Sequence, residues 1–392
     1  MTSLRPSSSQ PKVVVACATF KGTLSSRAAG EAIARGLQSV GISSQIVVLA
    51  DGGEGLVDAL ATQVPGSLKV GAASRGPLQS PRTATFAILP KVIAGKGELA
   101  VIEMAASSGL NLISAAERDP KLTTSLGVGD QILAALEHES GGMTILLGLG
   151  GSATNDGGAG MAQALGVHFL DANGAPLEPG GAALARLARI DISAMNSRAK
   201  SVPVTVACDV RNPLCGPQGA TYIFGKQKGA TPEDQKILDA ALAHYAKMIQ
   251  KDLGKDVAEI PGAGAAGGLG AGCLAFLNAT LKPGIDLVLD TLNFDAALSG
   301  ASLVITGEGM LDDQTLMGKA PAGVAERAKK MNIRCIAIGG GIDREHEAAL
   351  TKVFSRLESL SQFAGSTEAA MFEPARWLEN LTKAKSAEWL KP

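Results

Sequence analysis

The sequence is poor in aromatic residues and has no excess of charge of either sign. Aromatic side chains make up 3% of the 392 residues, and the formal net charge is -1. With two Trp and two Tyr, the chain lacks the stacking surface that single-stranded nucleic acid needs, and it has no basic patch. We therefore expect no nucleic-acid partner.

Long apolar runs and paired cysteines are also absent. No stretch reaches the roughly 18 apolar residues of a membrane span, and the polar first residues do not resemble a signal peptide. The five cysteines form no CxxC pair, which argues against a disulfide framework or a zinc knuckle and favours a reducing compartment. The sequence predicts a cytoplasmic protein with no membrane partner.

Glycine, in contrast, is abundant, with 48 residues among a chain that is 46% hydrophobic. This length exceeds one ordinary core, and βαβ patterns occur at both ends of the chain, typical of parallel sheets. Two segments near residue 90 form a predicted hairpin. We predict an α/β fold with two α/β domains: a Rossmann-like parallel sheet built from residues 1–76 and 285–392, and an inserted domain of residues 77–284. A plain division near residue 200 is the alternative.

The segment ILLGLGGSATNDGGAGMAQALG, residues 145–166, predicts a buried strand, a polar glycine loop and a helix start. Glycine lets the backbone approach a ligand, and free N–H groups at a helix start favour phosphate. A glycine-rich turn with a polar helix cap is the alternative. We expect Asp156 to bind magnesium, and we expect the following residues to bind a nucleotide: Gly150, Gly151, Ser152, Thr154 and Asn155.

Other polar residues follow predicted strands, where parallel sheets bind ligands. Lys21 suits a phosphate, and the planar guanidinium of Arg211 suits a substrate carboxylate. The cluster Glu308, Asp312 and Asp313 suits a divalent metal or general-base chemistry. The remaining candidates are Asp51 as a catalytic carboxylate, Ser107, Asp209 and Asn212 for the substrate, and Glu308 and Lys319 for the nucleotide.

Several familiar motifs are missing. The pattern GxxxxGK[ST] of a P-loop does not occur, and all four histidines lie outside the glycine loops. Gly262, Gly264 and Gly267 match GxGxxG, but no clear strand precedes them and no acidic partner follows. The residues alone therefore indicate a magnesium-dependent enzyme that handles phosphate and acts on a small hydroxylated, carboxylated substrate.

At these loops the chain closely resembles the bacterial glycerate kinases of the first type. Ten segments occur in family order between Phe20 and Ala325: FKGTLSS, ADGGEG, IEMAASSGL, TTSLGVGDQI, GLGGSATNDGGAGMAQALG, CDVRNPLCGPQGA, FGKQKGA, GAGAAGGLGAG, TGEGMLDDQT and GKAPAGVA. One departure is Ala18, which stands where the family more often has an aspartate, so no role of that aspartate carries over.

The resemblance implies ATP-dependent phosphorylation of D-glycerate to 2-phosphoglycerate, an organic acid phosphorylation linked to glyoxylate or sugar-acid breakdown. It also implies two α/β domains with the active site in the cleft between them. From residue chemistry we place Asp51 near the glycerate hydroxyl, Lys21 near the phosphate and Asp312 near the metal. A hydroxy-acid dehydrogenase using NAD, a nucleotide sensor and a kinase forming 3-phosphoglycerate are the alternatives, and a homodimer remains open.

Overall fold

The structure is a computed structural model that describes residues 11–50, 52, 53, 55–90, 97–138 and 142–391. Its strands, in chain order, are β1 (Lys12–Val15), β2 (Ser44–Ile46), β3 (Leu68–Arg75), β4 (Pro81–Leu89), β5 (Glu98–Glu103), β6 (Met143–Gly148), β7 (His168–Leu170), β8 (Arg189–Asp191), β9 (Val204–Ala207), β10 (Thr280–Lys282), β11 (Ala301–Leu311), β12 (Cys335–Ile342) and β13 (Arg356–Ser359).

The α-helices alternate with most of these strands, and short 3₁₀ turns lie between some of them. They are α1 (Ser26–Gln38), α2 (Leu56–Ala61), α3 (Ala105–Ser108), α4 (Leu126–His138), α5 (Ala159–Ala164), α6 (Ser197–Ser201), α7 (Ala220–Phe224), α8 (Pro232–Leu253), α9 (Ala265–Leu277), α10 (Gly284–Thr291), α11 (Phe294–Leu298), α12 (Asp313–Leu316), α13 (Ala320–Lys330), α14 (Glu347–Leu350), α15 (Leu360–Ala364), α16 (Thr367–Phe372) and α17 (Pro374–Trp389).

Local sequence explains where the long helices begin and end. Helix α8 begins after Thr231, whose hydroxyl accepts from the backbone N–H of Asp234 while the Asp234 carboxylate accepts in return, and Pro232 occupies its first position. Such a reciprocal cap satisfies N–H groups that a helix start leaves unpaired. The helix ends at Gly254, whose φ of 70° suits a residue without a side chain.

The residues fall into two compact units by their contacts, one of residues 1–51 and 288–392 and one of residues 52–287. The first unit contains a five-stranded sheet in the order β13-β12-β11-β1-β2, and all of its pairs are parallel. Its three central strands β1, β11 and β12 contain buried aliphatic runs, such as Val13–Val15 in β1. Because β1 lies between β2 and β11, the strand order reverses between β1 and β11, where such sheets bind ligands.

The second unit contains a six-stranded sheet in the order β10-β9-β6-β5-β4-β3, together with the small antiparallel pair β7 and β8. Strands β5, β6, β9 and β10 are parallel, whereas β3, β4 and β5 pair antiparallel. The core of this unit packs helices such as α4, α8 and α9 around the sheet. The α/β fold class predicted from the sequence is confirmed.

Three elements differ from the sequence analysis. Strand β3 was not predicted, and it pairs with β4 along its whole length. Residues 68–75 therefore belong to the six-stranded sheet, whereas the sequence analysis grouped them with the first 76 residues; the domain boundaries themselves stay a prediction. The aliphatic residues 45–50 predict a longer second strand, but β2 ends at Ile46. The residues 353–355 predict a short strand, but the strand of this region is β13, Arg356–Ser359.

Candidate active site

The carboxyl ends of three neighbouring parallel strands meet at one edge of the six-stranded sheet. Glu103 at the end of β5 lies beside Gly148 at the end of β6, and Gly148 lies beside Ala207 at the end of β9. The loops that follow these strands therefore begin side by side. This is the edge at which parallel sheets bind ligands.

The outer part of the loop after β6, residues Gly150–Ser152, presents backbone donors that no described residue accepts from. The carbonyl of Gly151 accepts from the N–H of Leu110, but the N–H groups of Gly150, Gly151 and Ser152 have no acceptor among the described residues. Gly151 is exposed and has a φ of 75°. A run of free backbone N–H groups on an accessible loop is suited to bind an anion, as predicted for these three residues.

Gly52 and Gly53 pack against this loop at distances that only glycine permits. A Cβ on Gly150 would lie 2.5 Å from the Cα of Gly53, and one on Gly148 would lie 2.4 Å from the carbonyl oxygen of Gly52. The preceding residue, Asp51, is the predicted catalytic base, and it lies outside the described residues. Its role stays a prediction.

The inner part of the same loop, residues Thr154–Asp156, is buried. The Asp156 carboxylate is 0% exposed and accepts from the Thr124 and Ser125 hydroxyls and from the N–H groups of Ser125, Gly158 and Gly160, at 2.7–3.2 Å. These contacts fit an anchor that ties the loop to the start of α5. They do not favour the predicted role of Asp156 as a magnesium ligand.

Thr154 and Asn155 also direct their side chains into the protein. The Thr154 hydroxyl donates to the carbonyl of Ala266 at 3.3 Å, and the Asn155 amide donates to the Thr221 hydroxyl at 2.9 Å. Both residues are fully buried. Their geometry therefore fits loop support and does not favour the predicted direct contact with a nucleotide.

A second glycine-rich segment, residues 262–272, needs its glycines because it packs closely against the loop after β6. A Cβ on Gly267 would lie 1.9 Å from the Thr154 carbonyl oxygen, and one on Gly268 would lie 2.8 Å from the Cα of Gly157. The N–H of Gly157 donates to the carbonyl of Gly267 at 3.0 Å. Positive φ angles at Ala266, Gly267 and Gly268 place a kink at the start of α9. The glycines of this segment thus lock against the loop after β6.

The first two glycines of the GxGxxG match are likewise filled by protein. A Cβ on Gly264 would lie 2.2 Å from the Pro213 carbonyl oxygen, and one on Gly262 would lie 3.0 Å from the Cys208 sulfur. The backbone here approaches a neighbouring loop of the same unit. This arrangement does not support a dinucleotide site.

The loop after β9 combines one exposed cation with two tethered polar side chains. Asp209 accepts from the N–H of Gly284 at 2.7 Å, and the Asn212 amide donates to the carbonyl of Gln218 at 2.8 Å. Arg211 is exposed and lies between these two tethered positions. Arg211 thus belongs to the loop that begins at the strand-end edge, and its contact with a substrate carboxylate stays a prediction.

Ser107, a predicted substrate residue, is fully buried in α3. Its hydroxyl accepts from the Gln131 amide at 2.8 Å. A Cβ on Gly127 would lie 2.6 Å from the Ser107 Cβ, so α3 and α4 are in close contact here. The geometry favours a packing role for Ser107 over the predicted substrate contact.

The parallel five-stranded sheet carries the other predicted residues at the ends of β1 and β11. Lys21 is exposed in a tight turn closed by mutual backbone hydrogen bonds of Phe20 and Leu24. A Cβ on Gly309 would lie 3.1 Å from the backbone nitrogen of Lys21. The turn after β1 and the end of β11 are thus adjacent at the point where the strand order reverses.

The carboxylates at the end of β11 are already engaged in local structure. Glu308 is 7% exposed and accepts from the Thr315 hydroxyl at 2.6 Å. Asp312 caps α12 by accepting from the N–H groups of Gln314 and Thr315. Lys319 directly precedes α13 and makes no side-chain cap. Asp312 remains partly exposed, whereas Glu308 mainly stabilises the turn.

These carboxylates do not form a closed metal cage. Within the part of the chain that the structure describes, no three His, Cys, Asp or Glu side chains are grouped to hold an ion. Magnesium is usually held by one or two carboxylates together with substrate phosphates. The partly exposed carboxylate of Asp312 fits that incomplete donor set, whereas buried Asp156 does not.

Comparison with known proteins decides the family. The model of the glycerate kinase family matches residues 13–390. The chain is 45% identical to the glycerate kinase of Bacillus subtilis strain 168, over 95% of this chain and 96% of the relative. The chain belongs to the glycerate kinase family.

Two further relatives agree with this membership. The protein named glycerate 2-kinase in Escherichia coli K12 is 46% identical over 89% of this chain and 91% of its own length. A crystal structure of a protein assigned as glycerate kinase 2 from Salmonella typhimurium LT2 matches with a TM-score of 0.81 and 40% identity, covering 97% of this chain and 99% of that one. The predicted resemblance and the prediction of a kinase are confirmed.

Other features of this glycerate kinase family member were not predicted as parts of the site. Glu103 accepts from the N–H of Val57 at 2.6 Å, next to the start of α2. Lys228 is buried beneath the loop after β6 and donates to the Thr154 carbonyl at 2.7 Å. The sequence places both residues in segments that resemble the family, but their burial depends on contacts between distant segments.

Among the described helices, none has the length and hydropathy to cross a membrane.

Proposed function

We propose that this chain transfers the γ-phosphoryl group of ATP to D-glycerate and forms 2-phosphoglycerate. The names of the relatives support glycerate as the acceptor, and the name of the Escherichia coli relative supports the 2-phosphate. ATP is the phosphate donor that a kinase of this family implies. A cytoplasmic location, which the cysteine pattern predicted, stays a proposal.

The observation that carries this proposal is the pairing of two anion-binding features at one sheet edge. The free N–H groups of Gly150–Ser152 follow β6, and the exposed guanidinium of Arg211 follows the neighbouring strand β9. ATP brings phosphate oxygens and glycerate brings a carboxylate, so the reaction needs two anion sites. We assign the phosphates to Gly150–Ser152 and the glycerate carboxylate to Arg211.

Phosphoryl transfer depends mainly on charge neutralisation and positioning. By their chemistry, we propose Lys21 and Lys319 as residues that bind phosphate oxygens and Asp312 as a ligand of Mg²⁺. Glu308 supports the turn that carries Asp312. Asp51 is proposed as the carboxylate that orients the glycerate hydroxyl and accepts its proton.

A direct assay tests the reaction. Purified protein with ATP, MgCl₂ and D-glycerate is expected to release ADP in a coupled assay, and phosphorus NMR is expected to identify 2-phosphoglycerate. A 3-phosphoglycerate signal would correct the regiochemistry alone. Absence of ADP, together with reduction of NAD by the same acid, would replace the kinase by a dehydrogenase.

Arg211 is tested by a substitution that keeps its charge. Arg211→Lys removes the planar two-pronged geometry, and we expect the apparent KM for D-glycerate to rise about tenfold, about 1.4 kcal/mol. The apparent KM for ATP should change less than twofold, which serves as an internal control. An unchanged KM for glycerate would make Arg211 a surface residue without a role in binding.

A further inference from the structure

Lys228 is a buried cation in contact with the phosphate loop assigned above. Its side chain is 1% exposed, and its ammonium donates to the carbonyl oxygen of Thr154 at 2.7 Å. The residue ends a 3₁₀ turn, Lys226–Lys228, that follows α7. Thr154 is two residues beyond Ser152, so Lys228 contacts the loop just inside its anion-binding part.

A second contact joins the same two segments. The Thr221 hydroxyl in α7 accepts from the Asn155 side-chain amide at 2.9 Å, while the other side-chain atom of that amide, Oδ1, is buried without a partner in the described structure. The consecutive loop residues Thr154 and Asn155 are therefore both held by α7 and the 3₁₀ turn that follows it. The inner half of the loop cannot shift without breaking at least one of these buried contacts.

Burial of this ammonium is costly in itself. Desolvation lowers the pKa of Lys228 to about 7, and the nearby carboxylate of Asp156 opposes that shift. The Tyr245 hydroxyl, which is buried and without a described partner, also interacts with the Asp156 carboxylate. An apolar side chain of similar length would fill the site without this desolvation cost. The contact of Lys228 with the loop is therefore its distinctive contribution.

We propose that Lys228 is a positioning residue that holds the Thr154 carbonyl, and thereby keeps the Gly150–Ser152 donors arranged for phosphate. The inference rests on the proposed function only in naming ATP as the ligand. The contact between Lys228 and the loop does not depend on that function. Lys228 itself is fully enclosed and does not touch the nucleotide. Its effect on phosphate passes through the backbone of residues 152–154.

The test compares Lys228→Met with Lys226→Met. Lys226 is exposed two residues away, so Lys226→Met removes the same charge without breaking the buried contact. For Lys228→Met we expect the apparent KM for ATP to rise at least fivefold, while the apparent KM for D-glycerate changes less than twofold. Lys226→Met should behave as the wild type.

A general loss of stability would produce a different result. Ile249→Ala removes a buried side chain from α8 in the same unit, and it should lower the amount of active enzyme without a selective change in the KM for ATP. If Ile249→Ala raises that KM as much as Lys228→Met does, the positioning role is wrong. Lys228→Gln, which is too short to keep the bond, serves if Lys228→Met does not fold, with the same expected shift.

Hydrogen exchange separates this inference from the proposed reaction. In ligand-free protein, the hydrogen-bonded amides of Ala153 and Gly157, which flank the contacts of Thr154 and Asn155, should exchange at least fivefold faster in Lys228→Met than in wild type and in Lys226→Met. This readout needs no turnover, so it remains valid if wild type shows no kinase activity. Unchanged exchange and an unchanged KM for ATP in the folded Lys228 variant would overturn the proposal.

Discussion

The outer and inner halves of the loop after β6 differ in what satisfies their polar groups. Gly150–Ser152 leave three backbone donors without a described acceptor, whereas Thr154, Asn155 and Asp156 bond to groups inside the same unit. Both halves consist of small residues within one glycine-rich stretch of the sequence. The comparison shows that a polar loop after a strand divides into a part with open backbone donors and a part that anchors the loop to the protein.

The two halves also use glycine for different purposes. Gly151 is exposed, and its positive φ shapes the turn that carries the open backbone donors. Gly157 and Gly158 are buried and let the backbone of α9 approach closely, where a Cβ on Gly158 would lie 3.0 Å from the Cα of Gly272. Abundant glycine in this chain thus reflects packing between loops as much as access for a ligand.

The strongest test of the inner half is the removal of its carboxylate. Asp156→Ala leaves the buried N–H groups of Ser125, Gly158 and Gly160 without their acceptor. We expect the free energy of unfolding in urea to fall by about 4 kcal/mol, since each unsatisfied buried donor costs about 1–3 kcal/mol. The magnesium dependence of the remaining folded enzyme should be unchanged.

The contrary result would restore the metal role of Asp156. If Asp156→Ala keeps the stability of the wild type and requires more magnesium for half-maximal activity, its carboxylate faces the ion. A magnesium titration and a urea titration on the same preparation separate the two outcomes.

A smaller effect is expected from the glycine that locks this half. Gly267 has a φ of 69°, and its Cβ would lie 1.9 Å from the Thr154 carbonyl oxygen. Gly254 has nearly the same φ, 70°, but nothing lies within 4 Å of its Cβ position. We expect Gly254→Ala to cost about 1 kcal/mol through backbone strain alone, and Gly267→Ala to cost about 3 kcal/mol because overpacking is added.

Thermal or urea unfolding of the two variants measures the difference between strain and crowding. Equal losses would mean that the loop after β6 moves aside for a methyl group at residue 267. The packing between the two glycine-rich segments would then tolerate more displacement than the distances indicate.

Much of the fold could be predicted because its elements carry strong local patterns. The helical spacing of Ala29, Ile33 and Leu37 predicts a helix over residues 26–40, and α1 lies there with these residues buried. Strand β4 pairs antiparallel with β5 as predicted. Strand β3 was missed because LKVGAASR has few large apolar residues and a central Gly71. Its pairing with β4 depends on the partner strand, which local propensity does not describe.

The candidate site was harder to predict for a physical reason. The sequence places Asp156 among Ser, Thr and Asn after a strand, which is equally typical of a ligand and of an anchor. The contacts that distinguish these roles come from Thr124 and Ser125, about 30 residues earlier in the chain. Burial and partner identity are tertiary properties, so the predicted residue types were informative while several of their roles were not.

The test with the smallest expected effect uses pH to ask whether Lys228, which contacts the inner half, titrates near neutral pH. Burial lowers the pKa of Lys228 in the folded protein to about 7, from a reference value of 10.5. Between these values the unfolded chain binds more protons than the folded protein, so the free energy of unfolding rises with pH through this window. Below about pH 7 both states are protonated, and the full penalty for burying the charge is present.

Lys228→Met removes this titration, whereas Lys226→Met does not. We therefore expect wild type to gain stability relative to Lys228→Met between pH 7 and pH 9, by at most about 1.4 kcal/mol per pH unit. Urea unfolding of the three proteins at pH 6, 7, 8 and 9 measures the difference, in which all other titrating groups cancel. Parallel curves for wild type and Lys228→Met would mean that the Asp156 carboxylate keeps Lys228 protonated throughout, and that the inner half holds a permanent charge.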